Sequence, residues 1–167
     1  MLPPRNMPIA MNIVLLSAVT LACITYMGCF VCRGVPESIS ATYYMLGKRG
    51  WVFQAVMILV GFLLCPVWIP VSKDQHSFLA FLSCASLMFV GAAPAFRMEL
   101  EGRVHYVSAA VCCACAVLWQ VLDGLWDVTV FFAWSGGMLS LVWRKQWCWW
   151  MECAVMGSLL ANLWRIV

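Results

Sequence analysis

Six apolar runs, each close to the length of a membrane-crossing helix, fill this chain, and short breaks between them carry nearly all its charge. A helix needs about 20 mostly apolar residues to cross a hydrocarbon layer roughly 30 Å thick. The runs lie at about 8–32, 51–71, 76–95, 105–122, 126–143 and 147–166. Between them stand Arg33 to Arg49, Lys73-Asp74, Arg97 to Arg103, Asp123 to Asp127, and Arg144-Lys145. Such tight turns force neighbours to run antiparallel. The expected fold is therefore all-α, a single six-helix transmembrane bundle over 1–167. Composition agrees: 65% of residues are hydrophobic and 10% charged, against about 25% charged in soluble domains. A surface so poor in charge suits lipid better than water. Ten tryptophans suit interfacial belts. The first run follows Arg5 and continues to Val31, longer than the roughly 7–15-residue core of a signal peptide, and is expected to stay as a span.

Several functions are excluded at this stage. The net charge of +3 is scattered over short connections. No basic stripe could track a phosphate backbone, so nucleic acid is not an expected partner. The ten cysteines sit mostly inside apolar runs, where a thiol behaves as a small hydrophobe. Cys29-Phe-Val-Cys32 has CxxC spacing without a second pair or a nearby histidine for zinc. His76 begins the third run and His105 the fourth, which places them on opposite membrane faces, about 30 Å apart. They cannot share a metal, and no metal or other cofactor is expected. No GxSxG, HExxH or Walker motif appears.

An even number of spans puts both termini on one face. The other face, formed by 33–50, 96–104 and 144–146, carries Arg33, Lys48, Arg49, Arg97, Arg103, Arg144 and Lys145. The terminal face has Arg5, Lys73 and Arg165. The positive-inside rule then makes the loop face cytoplasmic.

That topology gathers polar groups on the loop face. Gln54 lies a turn into the second run and Glu152 a similar depth into the sixth, with His105 at the mouth of the fourth. Ser38, Ser40, Thr42, Tyr43 and Tyr44 come from the first connection, beside Arg33 and Glu37. Arg97, Glu99, Glu101 and Arg103 form a rim. Glu152 stands among tryptophans, where an ionisable group is costly and commonly finds a partner inside the bundle. Two readings stand: it reaches headgroups or pairs with Arg144 or Lys145, or it faces a polar pocket with His105 and the serines. His105 is open in the same way, between tying helix ends together and handling a ligand or proton. Pro36, suited to a first helical turn, and the spacing of Ile39, Tyr43 and Leu46 predict a short interfacial helix with its serines and Thr42 toward the pocket. On the terminal face Asp123 and Asp127 are expected to cap helices, and Asn162 to bond between helices at about 0.6–2 kcal/mol. Gly136-Gly137 are expected to allow close helix approach.

The order of "PESISATYY" after the first run, "GAAPAF" ending the third and "HYVSAA" opening the fourth resembles the six-span DRAM/FRAG-like superfamily and a related bacterial membrane family of unknown function. Ser38, Ile39 and Ser40 match its Pro/Ser-Ile-Ser segment. His105 with Ala109 matches the histidine followed four residues later by a small side chain, and Pro94 the proline before it. The resemblance covers about the first 120 residues. It implies membrane residence and lipid-linked or trafficking roles, and supplies no agreed chemistry. Animal members are drawn with cytosolic termini, opposite to the charge count here.

The leading functional expectation is non-catalytic. A loop-face pocket binds a membrane lipid headgroup or small amphiphile, with Arg33, Ser38, Ser40, Tyr43, Gln54, Arg103, His105 and Glu152 around it. The rival is an intramembrane hydrolase or acyl-transfer enzyme, with Ser38 or Ser40 as nucleophile, His105 as base and Glu152 or Glu37 as the orienting acid. A small transporter is a third reading, weakened by the lack of a half-to-half repeat. Assembly into a homo-oligomer stays open.

Overall fold

A computed structural model describes residues 8–95 and 98–167, and side chains at 8–94 and 102–167. Arg97 and the side chains of Glu99 and Glu101, expected at the rim, lie outside the described residues. All regular structure among the described residues is helical: α1 (Ile9–Arg33), α2 (Thr42–Leu46), α3 (Trp51–Val71), α4 (Ser77–Ala92), α5 (Met98–Leu122), α6 (Trp126–Val142) and α7 (Trp147–Ile166). Short 3-10 turns at Gly47–Arg49, Ala93–Ala95 and Arg144–Gln146 close three of the connections. A helix satisfies its backbone polar groups internally, as an apolar chain in lipid must. Gly34 (φ 120°) ends α1 and Gly47 (φ 52°) ends α2 in backbone conformations that suit glycine.

Three stretches are long and apolar enough to cross a membrane: Ile9–Arg33, Trp51–Val71 and Gly102–Leu122. The apolar helices α4 and α6 are shorter, at 16 and 17 residues. Large apolar side chains are exposed on the outside of every one of the six long helices, among them Ile24, Phe62, Phe81, Val107, Trp134 and Trp164. Contiguous apolar exteriors of this extent mark surfaces that are covered in use, by lipid or by protein.

Glycine contacts fix how neighbours run. A methyl group on Gly61 would lie 2.8 Å from the Cys84 carbonyl oxygen, and one on Gly91 2.9 Å from Met57 Cβ. Early α3 thus meets late α4 and the reverse, an antiparallel pair with its backbones close. Gly136 against Ala154 and Gly157 against Phe132 do the same for α6 and α7. Trp68, Trp119, Trp149, Phe53 and Leu16 fill the space between helices with almost no exposure, and the Trp68 and Trp119 rings meet edge to face at 5.1 Å.

The end of the bundle holding the α3–α4 and α5–α6 turns is tied by side chains. Asp123 and Asp127 do not cap helices as expected: the N-cap position of α6 is Leu125, with no side-chain cap bond. Asp123 Oδ1 instead lies 2.6 Å from His76 Nδ1, with its other oxygen 3.4 Å from the Lys73 amide. Asp127 accepts two bonds from Arg165, at 2.9 and 3.0 Å. The reason is geometric, since each aspartate faces a hydrogen-bonding side chain on another helix or turn. Above them Asn162, fully buried, donates to Gln120 Oε1 at 2.9 Å and the Leu125 carbonyl at 3.2 Å. Thr129 Oγ1 lies 3.0 Å from the same Gln120 oxygen, so one polar knot joins α5, α6 and α7. Asn162→Leu removes the donor and leaves that oxygen with Thr129 alone. Unfolding in detergent is expected to show a loss of about 0.6–2 kcal/mol; an unchanged midpoint would mean the knot holds nothing.

Candidate functional site

The first connection departs from the expected helix. Residues 37–41 form turns, and α2 has only five residues. The serines precede the helix. Ser38 Oγ accepts from the Ala41 amide at 3.1 Å and sits 3.0 Å from Ser40 Oγ. Such side-chain bonds offer the backbone an alternative to a helix, which is why the pattern after Pro36 starts late. Ile39, Tyr43 and Leu46 pack against the core. Thr42 is fully buried; its hydroxyl donates to the Ile39 carbonyl at 2.5 Å and therefore accepts from the Tyr26 hydroxyl, also at 2.5 Å.

Glu152 clasps this turn. Its Oε2 accepts from the Ile39 amide at 2.6 Å. In the opposite sense, the Glu37 carbonyl accepts from the Trp149 amide at 3.0 Å. Trp149 is in the first turn of α7, where amides have no partner within the helix. The connection and α7 therefore satisfy each other's backbone donors reciprocally. Of the two readings of Glu152, the inward one describes its position; Arg144 and Lys145 stay exposed.

Two cavities meet beside this clasp. The outer one, a vestibule of about 460 Å³, is lined by Glu37, Ser38, Ser40, Tyr43, Tyr44 and Tyr106, together with Phe53 and His105. The inner one is narrow, about 90 Å³, and mostly apolar. Among its walls are Tyr26, His105 and Glu152 near the vestibule, Ala109 and Val155 midway, and Trp68 and Ala116 at depth. His105 and Ala116 are about 16 Å apart along α5 at 1.5 Å per residue. Ser40, Phe53 and His105 line both cavities and form the neck between them.

No family model, curated protein or solved structure matches this chain.

Of the residues picked out from the sequence, Ser40, His105 and Glu152 line the inner cavity, while Ser38 and Tyr43 line the vestibule. Arg33 and Arg103 are exposed, and neither they nor Gln54 lines either cavity. His105 stands further along its helix than expected, because α5 starts at Met98. Charge marked the end of the apolar run, but Met, Glu, Leu and Arg are good helix formers and carry the helix beyond it. His76, paired with Asp123 just past the other end of α5, is about 27 Å from His105 along that helix. Sequence reasoning missed Tyr26, Phe53 and Tyr106. Tyr106 could have been found from its place beside His105; the other two lie in apolar runs and look like ordinary packing.

Proposed function

We propose that the chain is a six-span integral membrane protein, of the DRAM/FRAG-like type it resembles, that holds a single-chain amphiphile at the cytoplasmic face. The head rests in the vestibule and the tail runs down the inner cavity. One observation carries this reading: a polar chamber and a mostly apolar one, which reaches from His105 to Ala116, share Ser40, Phe53 and His105 in their walls. Binding sites are commonly apolar hollows with a few placed polar groups. The inner cavity, at about 90 Å³, is smaller than the roughly 150 Å³ that takes up one benzene, so it excludes a ring system or a pair of chains and takes a single unbranched chain only as its walls part. In this reading α4 and α6 cross as well, with their flanking turns completing the span.

The test is lipid extraction from detergent-purified protein followed by mass spectrometry. Wild type is expected to carry an amphiphile near one per chain. Ala109→Trp, or Val155→Trp from the facing wall, fills the cavity and should lower that content about tenfold or more. Equal content in the wild type and in whichever plug variants fold would overturn the proposal.

A hydrolase has one observation in its favour, since Ser40, His105 and Glu152 line one cavity. Against it, Glu152 Oε2 is taken by the Ile39 amide, and Ser40 Oγ lies in a 3.0 Å bond with Ser38 Oγ. Covalent labelling of Ser40 by a fluorophosphonate, lost in His105→Ala, would replace binding with catalysis.

A further inference from the structure

Resting on the amphiphile reading, we propose that the head held in the vestibule is cationic: a long-chain ammonium or trimethylammonium amphiphile, and neither a phosphate nor a carboxylate. The first argument is the sign of the lining. Glu37 lines the vestibule and Glu152 the inner cavity, and among the described residues no lysine or arginine lines either. Arg33, Lys48, Arg49 and Arg103 are all exposed and outside both linings. An anionic head placed there would face the Glu37 carboxyl group with no lysine or arginine among the described lining residues to neutralise it. Like charges repel, while an ammonium gains from the same carboxylate.

The second argument is aromatic. Tyr43, Tyr44, Phe53 and Tyr106 are among the eleven lining residues of the vestibule. The Tyr43 ring meets Tyr44 at 5.3 Å and Phe53 at 6.1 Å, both edge to face, and Tyr106 meets His105 at 5.8 Å in the same way. Clustered rings set at steep angles to one another form the partial walls of a cage. Aromatic faces attract cations within about 6 Å, and such cages are a recurrent way to recognise quaternary ammonium groups. The two serine hydroxyls share one bond at 3.0 Å, which leaves one proton between them beside the aromatic rings and the Glu37 carboxyl group as handles on a head.

The experiment uses the full chain in nanodiscs of zwitterionic phospholipid. Radiolabelled hexadecyltrimethylammonium is the probe, and empty discs and Ala109→Trp discs give the background. Hexadecanol and hexadecyl phosphate compete. The ammonium probe is expected to bind saturably, with hexadecyl phosphate at least about tenfold weaker. Glu37→Gln and Tyr106→Leu change exposed side chains, so folding survives; each should weaken the probe about three- to tenfold and leave hexadecanol unchanged. Hexadecyl phosphate or hexadecanol binding as tightly as the ammonium, or neither variant altering its affinity, would overturn the cationic head and spare the amphiphile reading. Failure of all three compounds to bind above the Ala109→Trp background would overturn both.

Discussion

Glu152→Leu is expected to free the first connection while leaving the helices in place. The Ile39 amide, now held at 2.6 Å, loses its acceptor. A buried donor left without one costs about 1–3 kcal/mol. The clasp has little else, because its other member is one backbone bond from Trp149 to Glu37. Amide hydrogen exchange at 39–46 should therefore quicken about ten- to hundredfold. Two effects oppose each other in this variant. Removing an ionisable group makes α7 more favourable in lipid, by up to about 2.5–3.5 kcal/mol if it sat at mid-membrane and less near an interface. Global unfolding should thus shift little while the connection opens. Glu152→Gln keeps an acceptor oxygen and should stay close to wild type. Wild-type exchange in the leucine variant would show that the clasp does not hold the turn.

Gly136→Leu should give the largest loss of stability. A single added carbon there already falls 2.7 Å from Ala154 Cβ and 3.0 Å from the Trp150 carbonyl oxygen. The second partner is backbone and cannot swing aside, so α6 and α7 must part. Overpacking of this kind costs about 1–3 kcal/mol, and more where backbones must move. Gly137 has nothing within 4 Å. Gly137→Ala should accordingly stabilise by up to about 1 kcal/mol through helix propensity alone. Thermal unfolding in detergent compares the two, and equal effects would deny the close approach.

The glycine pair shows where sequence reading stops. Two adjacent glycines in an apolar helix announce a close contact, but helical phase relative to a partner decides which of them makes it. Only coordinates supply that phase. Helix existence was legible because apolar length and charged breaks leave few other solutions, as with α3 and α7. The start of α5 was not, since charge reports the end of the apolar run rather than the end of the helix. The gathering of Ser40, His105 and Glu152 followed from counting helices and assigning ends. The exclusion of Arg33, Arg103 and Gln54 from the cavities did not, because side-chain direction at a helix end depends on packing that no spacing reveals. Periodicity puts the serines on a helix because it ignores the competing bond from the Ala41 amide to Ser38 Oγ.

The clasp between Ile39 and Glu152 also sets an order of events during synthesis. The connection emerges early, yet its holding carboxyl group arrives 113 residues later. At about 5–20 residues per second, that is a wait of roughly 6 to 23 seconds. During it the turn at 37–41 has its serine bonds but no lock, and the inner cavity lacks the wall that Glu152, Val155 and Leu159 supply. A ribosome paused before α7 would present an open crevice. Whatever enters the inner cavity during that interval does so without passing the finished neck, and the last helix then closes over it.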